Sequence, residues 1–361
     1  MKALLLGGTG AIGGYLQDRL AAAGWEVFVT SRRARTSREN ITFLQGNAQN
    51  IGFLEDVLKD NFDAVVDFMT WPQDRFAQVV DLVLSSTDRY VFLSSYRVFA
   101  DAPVITEKSP RLLEECPDER YRAGDEYAIR KAREEDMLRA SIRDNWIIVR
   151  PAITFSGSGS GRFQLGTYEK DVWLWRALNG HPVPVVPEML EKQCTLTWAD
   201  DVAHMMACLL AAPKAVGEAF NLATAQHQSW GEVLELYRTV LPVATCPVTL
   251  EQFESHCGGA LKEYGYIPQV RYDRMFDRVL DNSKALSVCG LCQSDLTDVS
   301  KILPRELRRY IETNPCFDVR PAIQGRLDRI AGSRMMPAEA AKAGFGVVDA
   351  IKYAVARLGL G

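Results

Sequence analysis

The 361-residue sequence predicts an α/β fold built on a doubly wound parallel sheet, and three observations carry that prediction. Over residues 1–150, short β-branched or aliphatic runs alternate with segments of helical period, the rhythm of successive βαβ units. Runs such as Ala64-Val65-Val66 are apolar without alternation, which suits strands covered by helices on both faces. A glycine-rich stretch, Gly7-Gly8-Thr9-Gly10-Ala11-Ile12-Gly13-Gly14, stands between the first apolar run and the first helical segment.

The elements follow in order. Ala3–Leu6 reads as the first strand and Ile12–Ala23 as the helix after it. Glu26–Thr30, Ile41–Leu44, Ala64–Phe68, Tyr90–Ser94 and Trp146–Val149 bring the strands to six. Helices are expected near Gly52–Lys59, Phe76–Leu84 and Tyr127–Ile142. After Arg150-Pro151 the texture changes. Ser156–Gly161 (SGSGSG) reads as a flexible polar loop, and the proline-bearing stretch up to Glu191 reads as irregular. Thr195–Leu210 reads as a strand-to-helix step and Ala219–Leu222 as a strand. From Ser229 onward the chain is mixed and mostly helical. Val348, Ile351, Val355 and Leu358 at helical spacing predict a closing amphipathic helix, packed on the core or, less favoured, lining a dimer interface. The division is therefore residues 1–155, with 195–225 returning to them, and a smaller, mostly helical domain from 156–194 and 226–361.

With 47% hydrophobic and 24% charged residues the composition is that of a globular protein. Forty-two basic against 46 acidic residues leave a net charge of −4, which supplies no global attraction to nucleic acid or an anionic membrane. No stretch approaches the roughly 20 apolar residues that span a bilayer, and no targeting peptide is read at the N-terminus. Eight cysteines without a framework pattern fit reduced thiols, so a cytoplasmic protein without membrane partners is expected. His181, His204, His227 and His256 are scattered, and no metal site is expected. Trp173 and Trp175 read as packing residues.

Gly7, Gly10 and Gly13 give the spacing G-x-x-G-x-x-G. Between a strand and a helix, such a loop allows a tight turn and close backbone approach to a pyrophosphate seated on the helix N-terminus. Dinucleotide binding on a Rossmann-type sheet follows. The second strand ends Val29-Thr30-Ser31-Arg32-Arg33. An acid there would read the adenosine ribose of NAD; a hydroxyl and two guanidiniums suit a 2′-phosphate instead. NADP is the expected cofactor, with NAD as the alternative; a solvated basic turn is the plainer reading of the arginines.

Tyr127 is the only tyrosine with a lysine four residues on, Lys131. On a helix these two share a face, and an ammonium beside a phenol favours the phenolate, which suits general acid/base work. Ser94 and Ser95 end the fifth strand, where ligands of this fold gather, so Ser95 can meet a substrate oxygen beside the phenol.

Taken together these motifs resemble the extended short-chain dehydrogenase/reductases, the NAD-dependent epimerase/dehydratase family that modifies nucleotide sugars. The resemblance covers roughly residues 1–225. It includes the GGTGAIGG loop, Gly46-Asn47, FLSSYRVF at 92–99, Tyr127/Lys131, Val149-Arg150-Pro151, Thr197–Val202 and Gly217–Asn221. Asp63–Asp67, Val104–Glu107 and Asp281–Lys284 are similar to an atypical branch that includes the chloroplast stem-loop-binding proteins. The resemblance implies that Gly7, Thr9, Gly10, Ala11, Ile12 and Gly13 hold the pyrophosphate. It implies that Ser31, Arg32, Arg33, Asn47 and Ala48 surround the adenosine, and that Phe68, Met69, Thr70, Ser94 and Pro151 line the groove. Tyr127 would be the acid/base, Lys131 its partner and ribose contact, Ser95 the substrate anchor, with Tyr96 and Arg271 also on the substrate. Of Arg162, Arg271, Arg274 and Arg278 in the second domain, any could grip a diphosphate. Leu6, Asn47 and Asp67 depart from the family's usual threonine, aspartate and histidine. Where dehydratases carry Asp-Glu after the residue matching Ser95, this chain has Tyr96-Arg97, which disfavours dehydration.

The implied activity is hydride transfer with a nucleotide-activated sugar, as epimerase (an isomerase) or reductase, in an expected homodimer. The competing reading is a non-catalytic or RNA-binding relative, against which the intact Tyr127/Lys131 pair and the acidic balance count.

Overall fold

The computed structural model describes residues 1–257 and 263–360. Seven strands, β1 (Lys2–Leu6), β2 (Glu26–Ser31), β3 (Ile41–Gln45), β4 (Phe62–Asp67), β5 (Thr87–Leu93), β6 (Trp146–Pro151) and β7 (Glu218–Leu222), form one sheet in the order β7-β6-β5-β4-β1-β2-β3. Every pairing in it is parallel, with Leu4 of β1 opposite Phe28 on one side and Val65 on the other. The six strands read from the sequence are all present. The seventh is the returning segment 218–222, where Ala219 lies opposite Ile148.

Helices that cover the sheet include α1 (Ala11–Ala22), α2 (Ile51–Leu58), α3 (Gln73–Ser85), α4 (Tyr127–Arg139) and α5 (Ala199–Ala211). Successive strand residues point to opposite faces, so β1 feeds two cores. Ala3 and Leu5 pack with Leu16 and Leu20 of α1 and Val202 and Met206 of α5. Leu4 and Leu6 pack with Leu54 of α2, Val79 and Val83 of α3 and Leu138 of α4. Apolar residues at consecutive positions are therefore all buried, which is why the strands show no alternation. The chain leaves β1 toward β2 and β3, then crosses back to β4 on the other side. The crevice above β1 and β4 is the switch point where doubly wound sheets bind ligands.

The second core gathers Trp173, Trp230, Tyr237, Ile302, Leu303 and Leu307 with Phe99 and Ile105. Two expectations fail here. The stretch to Glu191 is ordered: Lys170–Leu178 is a helix, Val183–Val185 pairs in parallel with Thr245–Pro247, and Trp173 stacks on Tyr237 with ring centroids 4.3 Å apart. The contiguous Trp173-Leu174-Trp175 run hides the helical period, and prolines at 182, 184 and 187 suggest a loop. The SGSGSG loop is likewise tied down, because the Gly157 N–H donates to Glu306 Oε2 at 2.9 Å and Ser158 Oγ lies 2.8 Å from the Tyr15 hydroxyl. Glu306 belongs to α6 (Val299–Glu312).

The closing helix forms, yet not as a core element. Val348, Ile351 and Leu358 are 63%, 57% and 66% exposed. The helix α8 (Val347–Leu358) instead packs its Tyr353/Ala356 face on α7 (Pro321–Ala331), where Gly325 admits the Tyr353 carbonyl so closely that a Cβ would not fit. Close backbone contact selects the side with small residues, and the aliphatic stripe is left facing out.

Candidate active site

The glycine loop is shaped by contacts on three sides. Gly7 ends β1 with φ +69°, a left-handed conformation that favours glycine. Its N–H donates to Thr30 Oγ1 at 2.9 Å. The Gly8 carbonyl accepts from Gln17 Nε2 at 2.6 Å, and a Cβ on Gly13 would collide with that same carbonyl, so α1 crosses the loop in direct contact. Gly10 is different. It is the N-cap of α1, carries no capping side chain, and has open space where a Cβ would stand. The loop therefore presents an uncovered helix N-terminus with room for an anion, the fit a dinucleotide pyrophosphate requires. Ile12 is buried beneath it.

Beside the loop lies a cleft of about 300 Å³ at the carboxyl ends of four strands. Gly7 and Thr9 line it from β1, Thr30, Ser31 and Arg32 from β2, Asn47 and Ala48 from β3, and Phe68, Met69 and Thr70 from β4. No carboxylate lines it. Arg33 is exposed outside this lining, and its carbonyl accepts from Ser31 Oγ at 2.8 Å. Asp67, at the end of β4, sets the far wall. Its buried carboxylate accepts from Met69 N–H, Trp71 Nε1 and the Tyr90 hydroxyl at 2.7–2.8 Å. Burial pushes this carboxyl up despite those donors. An aspartate suits the position because it folds residues 68–71 back over the strand end.

Helix α4 brings the catalytic candidates to this wall. Glu126 caps it, accepting from Ala128 N–H at 2.7 Å and from the Tyr121 hydroxyl at 2.9 Å. Tyr127 is its first residue and is half-buried. One turn on, Lys131 is 2% exposed; its Nζ is 3.5 Å from the Met69 carbonyl, 4.4 Å from the Phe92 ring centroid and 2.9 Å from Glu134 Oε2. Burial raises the Glu134 carboxyl, and the Lys131 charge opposes that rise.

The two serines after β5 part ways. Ser94 Oγ donates to Glu135 Oε1 at 2.6 Å, so it supports the helix rather than facing the cleft. Glu135 also takes both a 2.7 Å and a 2.6 Å bond from Arg150; burial would raise its carboxyl, but Arg150 holds it below the usual range. Ser95 Oγ accepts the Arg97 N–H at 3.2 Å, across the one-turn helix Tyr96–Val98. The Tyr96 hydroxyl is engaged behind the site, donating to Asp273 Oδ2 at 3.0 Å and accepting from Arg274 at 2.8 Å. Arg271 pairs with Glu254 at 2.8 and 3.0 Å on the surface, 45% exposed, whereas Arg274 and Arg278 are buried on Asp273. Arg162 lines a separate cavity of about 800 Å³ with Gly10, Ala11 and Lys170. Pro151 is buried at the end of β6, opposite Leu222 of β7.

The sequence reading missed Glu134, Glu126 and Arg97 as parts of this corner. Glu134 was recoverable as the residue three beyond Lys131, and Arg97 as the residue two beyond Ser95. Among the described residues no three His, Cys, Asp or Glu side chains gather as a metal site, and no helix is long and apolar enough to cross a membrane.

Residues 3–223 match the model of the NAD dependent epimerase/dehydratase family. The chain belongs to that family. No curated protein matches it by sequence. Solved structures share the fold of this family member. WbmH from Bordetella bronchiseptica, in complex with NAD+, is 17% identical with a TM-score of 0.63, over 86% of this chain and 98% of that one. UDP-glucuronic acid 4-epimerase from Bacillus cereus, with UDP-glucuronic acid and NAD, is 14% identical with a TM-score of 0.64, over 87% and 100%. MoeE5, with the same two ligands, is 19% identical with a TM-score of 0.65, over 86% and 99%.

Proposed function

We propose that this family member is an NADP(H)-dependent epimerase or reductase of a nucleotide-activated sugar, with Tyr127 exchanging the proton of the reacting hydroxyl. The observation that carries it is the reach of Lys131 to the Met69 carbonyl, because Met69 lines the cleft beside the glycine loop and Tyr127 stands one turn before Lys131. Gly7, Gly10 and Gly13 shape a pyrophosphate seat, Asn47 and Ala48 face the adenosine end, and Arg32 with Ser31 waits where a 2′-phosphate would lie. A bound nicotinamide supplies the hydride acceptor or donor. Ser95 orients the substrate oxygen, and Tyr127 takes or returns its proton. Neighbours of the same fold solved with UDP-glucuronic acid and NAD support the substrate class. Elimination of water is disfavoured, since Tyr96 is engaged by Asp273 and Arg274 and Arg97 is a cation.

The test is Tyr127→Phe, assayed by nicotinamide absorbance against a panel of nucleotide sugars. Turnover should vanish while NADP+ binding and the unfolding midpoint stay; turnover retained by the variant would refute the mechanism. Oxidised cofactor carried through purification would assign epimerisation, and exchangeable NADPH would assign reduction.

A further inference from the structure

We propose that Arg97 is a second cation acting on Tyr127, so that the phenol answers to a guanidinium over its ring as well as to Lys131. The inference rests on the reading of Tyr127 as the acid/base and adds a positioning residue to it.

The geometry is direct. The Arg97 guanidinium carbon lies 5.4 Å from the centroid of the Tyr127 ring, within the range at which a cation is drawn to an aromatic face. Ionising a phenol spreads negative charge from the oxygen into the ring. A cation over that face therefore gains more from the phenolate than from the phenol.

Arg97 is held in place. Its N–H donates to Ser95 Oγ at 3.2 Å, its Nη2 to Glu126 Oε1 at 2.7 Å, and its Nε lies 3.6 Å from Asp273 Oδ2. The side chain is only 13% exposed, and its Nε is buried without a hydrogen-bond acceptor. Ser95, Arg97 and the helix cap before Tyr127 thus form one connected unit.

Charge balance separates the two cations. Lys131 is matched by Glu134 at 2.9 Å, with both side chains buried. Arg97 belongs to a cluster with Arg274 and Arg278, and three guanidiniums there share the two carboxylates Asp273 and Glu126. Other ionisable groups face the same corner, Glu263 and Asp118 among them. Asp125 lies 3.7 Å from Arg130 on α4, Asp67 sits beyond Lys131, and the Tyr121 and Tyr96 hydroxyls donate to Glu126 and Asp273. Within that cluster the guanidiniums outnumber the carboxylates three to two, in a buried place where solvent screens them little.

The experiment follows the phenolate absorbance of the full chain as pH rises, without substrate. The difference between wild type and Tyr127→Phe isolates this one phenol. In Arg97→Met its midpoint should move up, and Arg97→Lys should recover much of that shift. Arg97→Gln, which can still hydrogen-bond Glu126, gives the same reading should the methionine variant not fold. A midpoint in Arg97→Gln that coincides with wild type overturns the proposal. Because no hydride transfer is measured, this outcome leaves the proposed function standing, and a failed sugar screen leaves the titration readable.

Discussion

Lys131 and Glu134 face each other across one turn of α4, ammonium to carboxylate at 2.9 Å, with side-chain exposures of 2% and 0%. Neither oxygen of Glu134 has a hydrogen bond of good geometry, and burial pushes its carboxyl up. The pair is therefore mutually dependent, since each charge is affordable inside the sheet–helix sandwich only because of the other. Removing one member of such a pair strands the other. Glu134→Gln should lower stability by about 3 kcal/mol in urea unfolding. A change below about 0.5 kcal/mol would show that water or a shifted Lys131 replaces the carboxylate.

Gly10 and Gly13 occupy one motif but answer to different forces. A methyl at Gly13 meets the Gly8 carbonyl, whereas a methyl at Gly10 meets nothing. Gly10 also has φ −82°, which any residue adopts. Gly13→Ala should lose about 1–3 kcal/mol of stability from overpacking. Gly10→Ala should unfold like wild type yet bind NADP+ at least about tenfold more weakly, because on the proposed reading its methyl would stand where the pyrophosphate approaches. Calorimetry of binding and unfolding on the two variants separates these outcomes; equal behaviour of both would mean that the loop is only structural.

The sheet was readable because burial on both faces leaves an unbroken apolar signature, as in Ala64-Val65-Val66. The Tyr127/Lys131 turn was readable because helical spacing alone puts both on one face. What spacing could not convey is three-dimensional charge balance. Asp273 lies 176 positions from Arg97 in the chain, and only the fold brings Arg274 and Arg278 to the same carboxylate. The exposed stripe of α8 failed for a related reason. Periodicity reports that a helix has an apolar side, but the contact was decided by the small residues Gly325 and Ala356.

On the proposed reading, cofactor selection turns on Arg32. It lines the cleft with Ser31 and Asn47, and no carboxylate is present to accept the ribose hydroxyls of NAD. A guanidinium on a phosphate is a charge-assisted contact of about 1.5–3 kcal/mol. Arg32→Ala should accordingly weaken NADP+ by about 10- to 100-fold and leave NAD+ nearly unchanged. Ser31→Asp should go further and reverse the preference by repelling the 2′-phosphate. Parallel titrations with both dinucleotides give the answer, and a loss shared equally by the two would place the 2′-phosphate elsewhere.

Asp273 gives the chain a pH dependence whose sign can be worked out. Burial alone would raise its carboxyl, but Arg274, Arg278 and Arg97 together hold it below its ordinary value of 3.8. A carboxyl depressed in the folded state adds stability that is fully present above its unfolded value and is lost as pH falls through the folded one. At pH 6, Asp273→Asn should be less stable than wild type by about 3 kcal/mol, since it leaves three guanidiniums sharing Glu126 alone. Below about pH 4 the gap should begin to narrow, and it should close only once pH has fallen through the lower folded value, where wild type too carries a neutral side chain at the same place. Glu135, also held low, is present in both proteins and cancels from the difference. Paired urea unfolding from pH 6 downward reads this directly. A gap that stays constant through acid would mean that Asp273 acts by hydrogen-bond shape and not by its charge.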